Sequence, residues 1–155
     1  MNVIVANKNE GLLNSLDIDV IKTINGEFET EEIIQTFSNF FFNRMFLDIT
    51  AIKDYTDITN IQKLSMSLDI EKVIFLLNGE LMSNNIFLSK LISMGIYNFA
   101  NTKESLLYLY NHPNSYKDVA HIHQLNINTT TQPESNNKKN QTNTKPVSRN
   151  SGGKC

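Results

Sequence analysis

Across residues 1–111, five short apolar runs alternate with five stretches of helical periodicity, and this alternation leaves very few folds open. The runs are 2–6, 20–24, 44–49, 73–77 and 96–100. Between them Asn9 predicts an N-cap for a helix over 10–16. Thr30-Glu31-Glu32 is an acidic helix start, followed by Ile33, Ile34, Phe37, Phe40 and Phe41 at helical spacing. Further helices are predicted over 58–67, 86–94 (closed by Gly95 as a C-terminal cap) and 103–111, before Pro113. The turn Asn25-Gly26 follows the second run, and Phe28 is assigned to the same edge. Strands alternating with helices predict a parallel sheet covered on both faces. Val73-Ile74-Phe75-Leu76-Leu77 has the unbroken apolar character such burial requires.

Right-handed crossovers in a small doubly wound sheet then give the strand order 2-1-3-4-5, a flavodoxin-like α/β fold. In that fold ligands sit outside the carboxyl ends of the strands. Those ends carry Asn7, Lys8 and Asn9 after the first strand, Asp48 at the third, Asn78 after the fourth, and Asn101 and Thr102 after the fifth. Asp48 has two readings, a cap for the following loop or an acceptor for chemistry. Lys8 either pairs with Asp48 or is an ordinary solvated lysine.

Beyond residue 111 the pattern changes. Residues 112–125 keep Tyr116, Val119, Ile122 and Leu125 at spacings of three, which predicts a short docking helix or arm. From Asn126 onward only Ile127, Val147 and Cys155 are apolar. Such a segment cannot offset about 1–2 kcal/mol per residue of backbone entropy, so 126–155 is expected to be a disordered Asn/Thr/Lys-rich linker or tail. A linker normally leads somewhere, so the chain is either complete with a free end or the front part of a longer protein.

Composition excludes more than it selects. Asparagine fills 22 of 155 positions, and a single cysteine excludes a disulfide scaffold. No apolar run approaches the roughly 18 residues of a membrane span, and Met1 to Ala6 lacks the basic region of a signal peptide. A cytoplasmic location is the expectation. Residues 1–125 carry a net charge of −6 and residues 126–155 a net of +4. The acidic body argues against nucleic acid as a partner, and the mildly basic tail has no aromatic residue on which bases stack. His121 and His123 lack a third ligand nearby, so no metal site is expected. Gly152-Gly153-Lys154 lacks the spacing of a phosphate loop. With no activated Ser or Cys, no paired carboxylates at the strand ends and no glycine-rich loop, the chain is expected not to be an enzyme and to need no cofactor.

Five strand–helix units over about 110 residues, a lone aspartate closing the third strand and Gly95-Ile96-Tyr97-Asn98-Phe99 at the fifth resemble the response-regulator receiver domain. That resemblance implies a phosphoacceptor place at Asp48 and an acidic Mg²⁺-binding pair at the places of Asn7 and Lys8. It implies a hydroxyl at the place of Asn78 and a lysine at that of Thr102, with Lys103 one residue late. Mg²⁺ requires hard oxygen ligands and usually carboxylates, which Asn7 and Lys8 do not offer. The chain is therefore similar to the atypical pseudo-receivers that precede MinD/ParA-type ATPases. This implies a non-catalytic interaction module regulating or localising an attached or separate P-loop ATPase. The alternative is a genuine receiver phosphorylated on Asp48. Receivers signal mainly through the face of the fourth helix, fifth strand and fifth helix, which here predicts a docking or homodimer surface on Phe87, Leu91, Tyr97, Leu107, Tyr108 and Tyr110. The aromatic run Phe40-Phe41-Phe42 is read as core plus an inter-helix contact.

Overall fold

The computed structural model describes residues 1–131, with side chains to 124. It divides into two units, Met1–Ala120 and the chain from His121 onward. The first unit holds five parallel strands, β1 (Asn2–Ala6), β2 (Val20–Asn25), β3 (Arg44–Asp48), β4 (Val73–Leu76) and β5 (Phe99–Ala100), in the order β2-β1-β3-β4-β5. The helices of that unit are α1 (Glu10–Asn14), α2 (Thr30–Phe37), α3 (Ile58–Ser67), α4 (Gly79–Met82), α5 (Asn85–Ser93) and α6 (Lys103–Asn111), and α7 (Tyr116–Thr131) begins in it. The expected sheet and strand order are both present.

Every residue of β1 and β4 is buried, as strands covered on both faces must be. Ile4, Ala6, Phe46, Ile74 and Leu76 turn to one face and pack with Leu13 and Leu16 from the α1 region and Leu106 and Leu109 from α6. The alternate residues Val3, Val5, Met45, Leu47, Val73 and Phe75 point to the other face, on the side reached by the crossovers that carry α2, α3 and α5. The edge strand β2 is mostly exposed.

Helix starts are fixed by polar caps. The carboxylate of Asp57 accepts from the Thr59 N–H at the start of α3, and the Glu29 N–H donates to the Glu32 carboxylate at the start of α2. The end of α5 matches its sequence signal. Gly95 takes φ +86°, its N–H donates to Ile92 O, and the Ile96 N–H reaches back to Leu91 O.

Three expectations are corrected. The fifth strand does not span 96–100 but only Phe99–Ala100, because the Ile96 N–H belongs to the helix cap and Tyr97 O is bound by the Asn114 amide. A short helix, α4, stands between β4 and α5, so two helices follow β4 where one is expected. Phe28 does not extend β2; it forms a parallel bridge with Ile52, with its N–H on Ala51 O and its carbonyl accepting from Lys53 N–H. This bridge pins the turn that follows β3.

The residues expected as a docking arm are helical from Tyr116. The turn is set by Ser115, whose N–H and hydroxyl both donate to the Asp118 carboxylate. Helical backbone continues through Thr131, into the segment expected as tail. The remainder of that segment, with Cys155 and Gly152-Gly153-Lys154, lies outside the described residues.

Candidate functional site

The carboxyl ends of β1 and β3 are neighbours in the sheet, with Val5 paired to Leu47, so the loops that follow them meet. At their meeting point stands Asp48, with no exposed surface. Five donors converge on its carboxylate. Oδ2 accepts from the backbone N–H groups of Asn7 (2.9 Å) and Asn9 (2.8 Å). Oδ1 accepts from the Asn9 side-chain amide (3.1 Å), the Thr50 N–H (3.0 Å) and the Thr50 hydroxyl (2.7 Å). A carboxylate offers about four lone-pair sites, so this one has no acceptor capacity left.

The two loops are also joined directly. The Asn7 side-chain amide donates to Thr50 O at 2.8 Å, and the Lys8 N–H donates to the Thr50 hydroxyl oxygen at 3.1 Å. Asp48 serves as the N-cap of a single 3-10 turn, Ile49–Ala51. Burial pushes its carboxyl pKa up, but the hydrogen bonds from Asn7, Thr50 and Asn9 together outweigh that, and the carboxyl sits below the usual aspartate range. Asp48 is thus held as an anion by neutral donors.

Asn78 and Thr102 at the strand ends are caps as well, while Asn101 is exposed. Asn78 accepts from Leu81 N–H at 2.8 Å and starts α4. Thr102 accepts from Ser105 N–H at 3.1 Å and starts α6. Each loop therefore closes on its own helix. Lys8 forms no ion pair with Asp48; among the described residues the ion pairs are Met1–Asp19, Lys53–Glu29, Lys63–Glu31 and Lys72–Asp69.

Two participants escaped the sequence reading. Asn9 does not cap α1 with its side chain, as predicted, but turns its amide to Asp48. Thr50 was not singled out at all. The local signal for it was the Asp48-Ile49-Thr50 spacing, since Asp side chains commonly bond the backbone two residues on.

A divalent cation does not fit here. Asn7 directs its amide N–H, not its oxygen, into the site, and both Asp48 oxygens are occupied. Among the described residues no group of three or more His, Cys, Asp and Glu side chains is placed to hold a metal. Beside the strand ends lies a cleft of about 360 Å³ between Tyr55 and Thr56 on one side and Leu81, Ile86 and Lys90 on the other.

The predicted interaction face is part buried and part accessible. Leu91 is fully buried and Phe87 nearly so, because α5 turns both inward. Leu107 and Tyr110 pack on the core below α6, with the Tyr110 ring 5.9 Å from that of Phe46. Tyr97 meets Tyr116 edge to face at 6.0 Å. Tyr108, 61% exposed and stacked on His112, is the one residue of the six that stands open. The wide apolar face of α6 is thus shared between the core, which takes Leu106 and Leu109 fully and Leu107 and Tyr110 in part, and the exposed Tyr108. Of the aromatic run, Phe42 is buried against Phe37, whereas Phe41 is exposed.

No family model matches the chain. No curated protein matches it either. Among solved structures, the response regulator RcsB of Salmonella typhimurium, described in terms of conformational dynamism for DNA interaction, is similar with a TM-score of 0.52. The likeness covers 80% of this chain and 69% of the RcsB chain, at 16% identity. The fold is receiver-like. Among the described residues no helix is long and apolar enough to cross a membrane.

Proposed function

We propose that this chain is a pseudo-receiver: a non-catalytic interaction module that docks a protein partner or a second copy of itself. The observation that supports this is the saturation of Asp48. An attacking carboxylate oxygen needs a free lone pair and an approach path, and this one has five donors and no exposed surface. Phosphoryl transfer also depends on positive charge at the transferring group, commonly a metal ion. Asn7 supplies none, and the Lys8 side chain is not engaged with Asp48.

The partner class we propose is a MinD/ParA-type P-loop ATPase, attached or separate, which the module regulates or localises. Support for it comes from the sequence: a receiver-like unit with lost pocket residues, followed by an Asn-rich segment of linker composition.

Two experiments separate the parts of this reading. With acetyl phosphate and Mg²⁺, the intact mass is expected to stay unchanged. A gain of one phosphoryl group, absent in Asp48→Asn, would instead make the chain a genuine receiver. The ATPase part rests on a different readout, the coding sequence downstream of codon 155 and the turnover of ATP by the candidate ATPase. An in-frame Walker-type domain, or turnover changed by adding this chain, supports it; neither result being found removes it while leaving the docking role.

A further inference from the structure

The amino-terminal edge of the sheet is built differently from the carboxyl-terminal edge. Asn2 and Arg44 are register partners on β1 and β3, and Lys72 directly precedes Val73, the β4 partner of Met45. Strand alternation turns Asn2 and Arg44 toward the face that carries Ile4 and Phe46. Tyr110 of α6 lies over this row, its hydroxyl accepting from the Asn2 amide at 3.1 Å.

Two clefts open at this edge, of about 430 and 410 Å³, and Arg44 and Lys72 border both. The first is completed by Asn43, Tyr110 and Asn111 and has no acidic wall. The second carries Asp69 and Glu71 as well. Within a body of net charge −6, two cationic residues therefore border one cleft whose other lining residues are neutral and polar.

Neither cation is well neutralised. Arg44 forms no ion pair among the described residues; its Nη1 donates to Asn43 O at 2.9 Å, and its buried Nε has no hydrogen-bond partner. Lys72 stands 3.8 Å from the Asp69 carboxylate and 4.9 Å above the Phe41 ring. Asn2 Oδ1 is also buried without a partner. Unmet buried polar atoms are costly and uncommon in folded proteins, and both of these fall in the same row. The Arg44 guanidinium is thus placed at a cleft by its strand with few of its donors used.

We propose that the Arg44–Lys72 cleft binds a phosphate group carried by a small molecule. Two cations match the charge of about −1.5 to −2 on a phosphate monoester better than that of a single carboxylate. A guanidinium fork and an ammonium are the usual pair of groups for such an anion. Asn43 borders the same cleft with an amide that extends the donor set, and Asn111, whose amide already donates to Leu107 O, has one N–H left to add. The cleft is larger than a phosphate alone needs, which leaves room for the rest of an ester. This site lies at the opposite strand ends from Asp48, so its fate is independent of the reading given to that residue.

The test is an NMR titration of the full chain at low ionic strength with inorganic phosphate, AMP and acetate, using sodium chloride at matched ionic strength as reference. Phosphate and AMP are expected to give saturable shifts at Asn43, Arg44, Lys72 and Asn111, with acetate about tenfold weaker. Tighter binding of AMP than of phosphate identifies an ester as the ligand, and the reverse order identifies free phosphate. Arg44→Gln and Lys72→Gln should each lower affinity about tenfold. Lys72→Gln carries the test if Arg44→Gln does not fold, since the Lys72 side chain is 32% exposed. Shifts reproduced by chloride, binding that Lys72→Gln leaves intact, or no saturable shift would each overturn the site and leave Asn2 and Arg44 as groups bridged by solvent.

Discussion

The two ends of one sheet handle their polar groups in opposite ways. At the carboxyl ends of the strands the buried, half-buried and capping polar residues are engaged: Asp48 with five donors, Asn78 and Thr102 with the first turns of their helices, Asn7 with Thr50, while the exposed Lys8 and Asn101 side chains face solvent. At the amino ends, Arg44 and Asn2 keep buried atoms without partners and Lys72 is only loosely paired. In α/β sheets the carboxyl ends are where ligands usually sit. Here that end is closed on itself, and the chemistry left open lies at the other. A fold therefore does not fix which end of it is available; the saturation of individual polar atoms does.

Asp48→Asn should give the largest effect. The amide would set an N–H donor against the N–H groups that now converge on the carboxylate, and a loss of roughly 2–4 kcal/mol is expected in urea unfolding at pH 7. The folded Asp48 carboxyl titrates below its unfolded value. Its contribution is therefore complete above the ordinary aspartate range near about 4 and is lost as pH falls through the folded value. The gap between wild type and Asp48→Asn should close on acidification. A surface aspartate kept for chemistry would instead cost about 0.5 kcal/mol or less on substitution.

Thr50→Val comes next. It removes one hydroxyl that both donates to Asp48 and accepts from the Lys8 N–H, at nearly constant shape. A cost of about 1–2 kcal/mol is expected, because the buried Asp48 carboxylate loses its shortest hydrogen bond, while the exposed Lys8 N–H can turn to water. Asn78→Ala and Thr102→Ala should each cost about 1 kcal/mol as lost N-caps, measured the same way. At the other end of the sheet, Lys72→Gln should shift stability by no more than about 0.5 kcal/mol. If it costs as much as Thr50→Val, the two ends do not differ in the way described.

The sequence carried the sheet order and most helix starts because these depend on local pattern. Apolar runs, helical periodicity and Gly95 are read within a few residues of where they act. It also placed Asp48 at the end of its strand and offered the loop-cap reading. What it did not show was the Asn9 side chain reaching Asp48, since a contact across 39 positions leaves no local trace. The face assigned to partners is only partly open for a related reason. Leu107 and Tyr110 look surplus to one helical stripe, but the core beneath α6 takes both. The Asn114 amide that occupies Tyr97 O and helps shorten β5 acts across 17 positions, again without a local trace.

The most direct test of the closed carboxyl end is the titration of the Asp48 side-chain carboxyl carbon by NMR, with and without millimolar Mg²⁺. The account expects a midpoint below that of an ordinary aspartate, as five donors hold the anion, and the same midpoint when Mg²⁺ is present. A midpoint at or above the ordinary aspartate value, or one that Mg²⁺ moves, would contradict it.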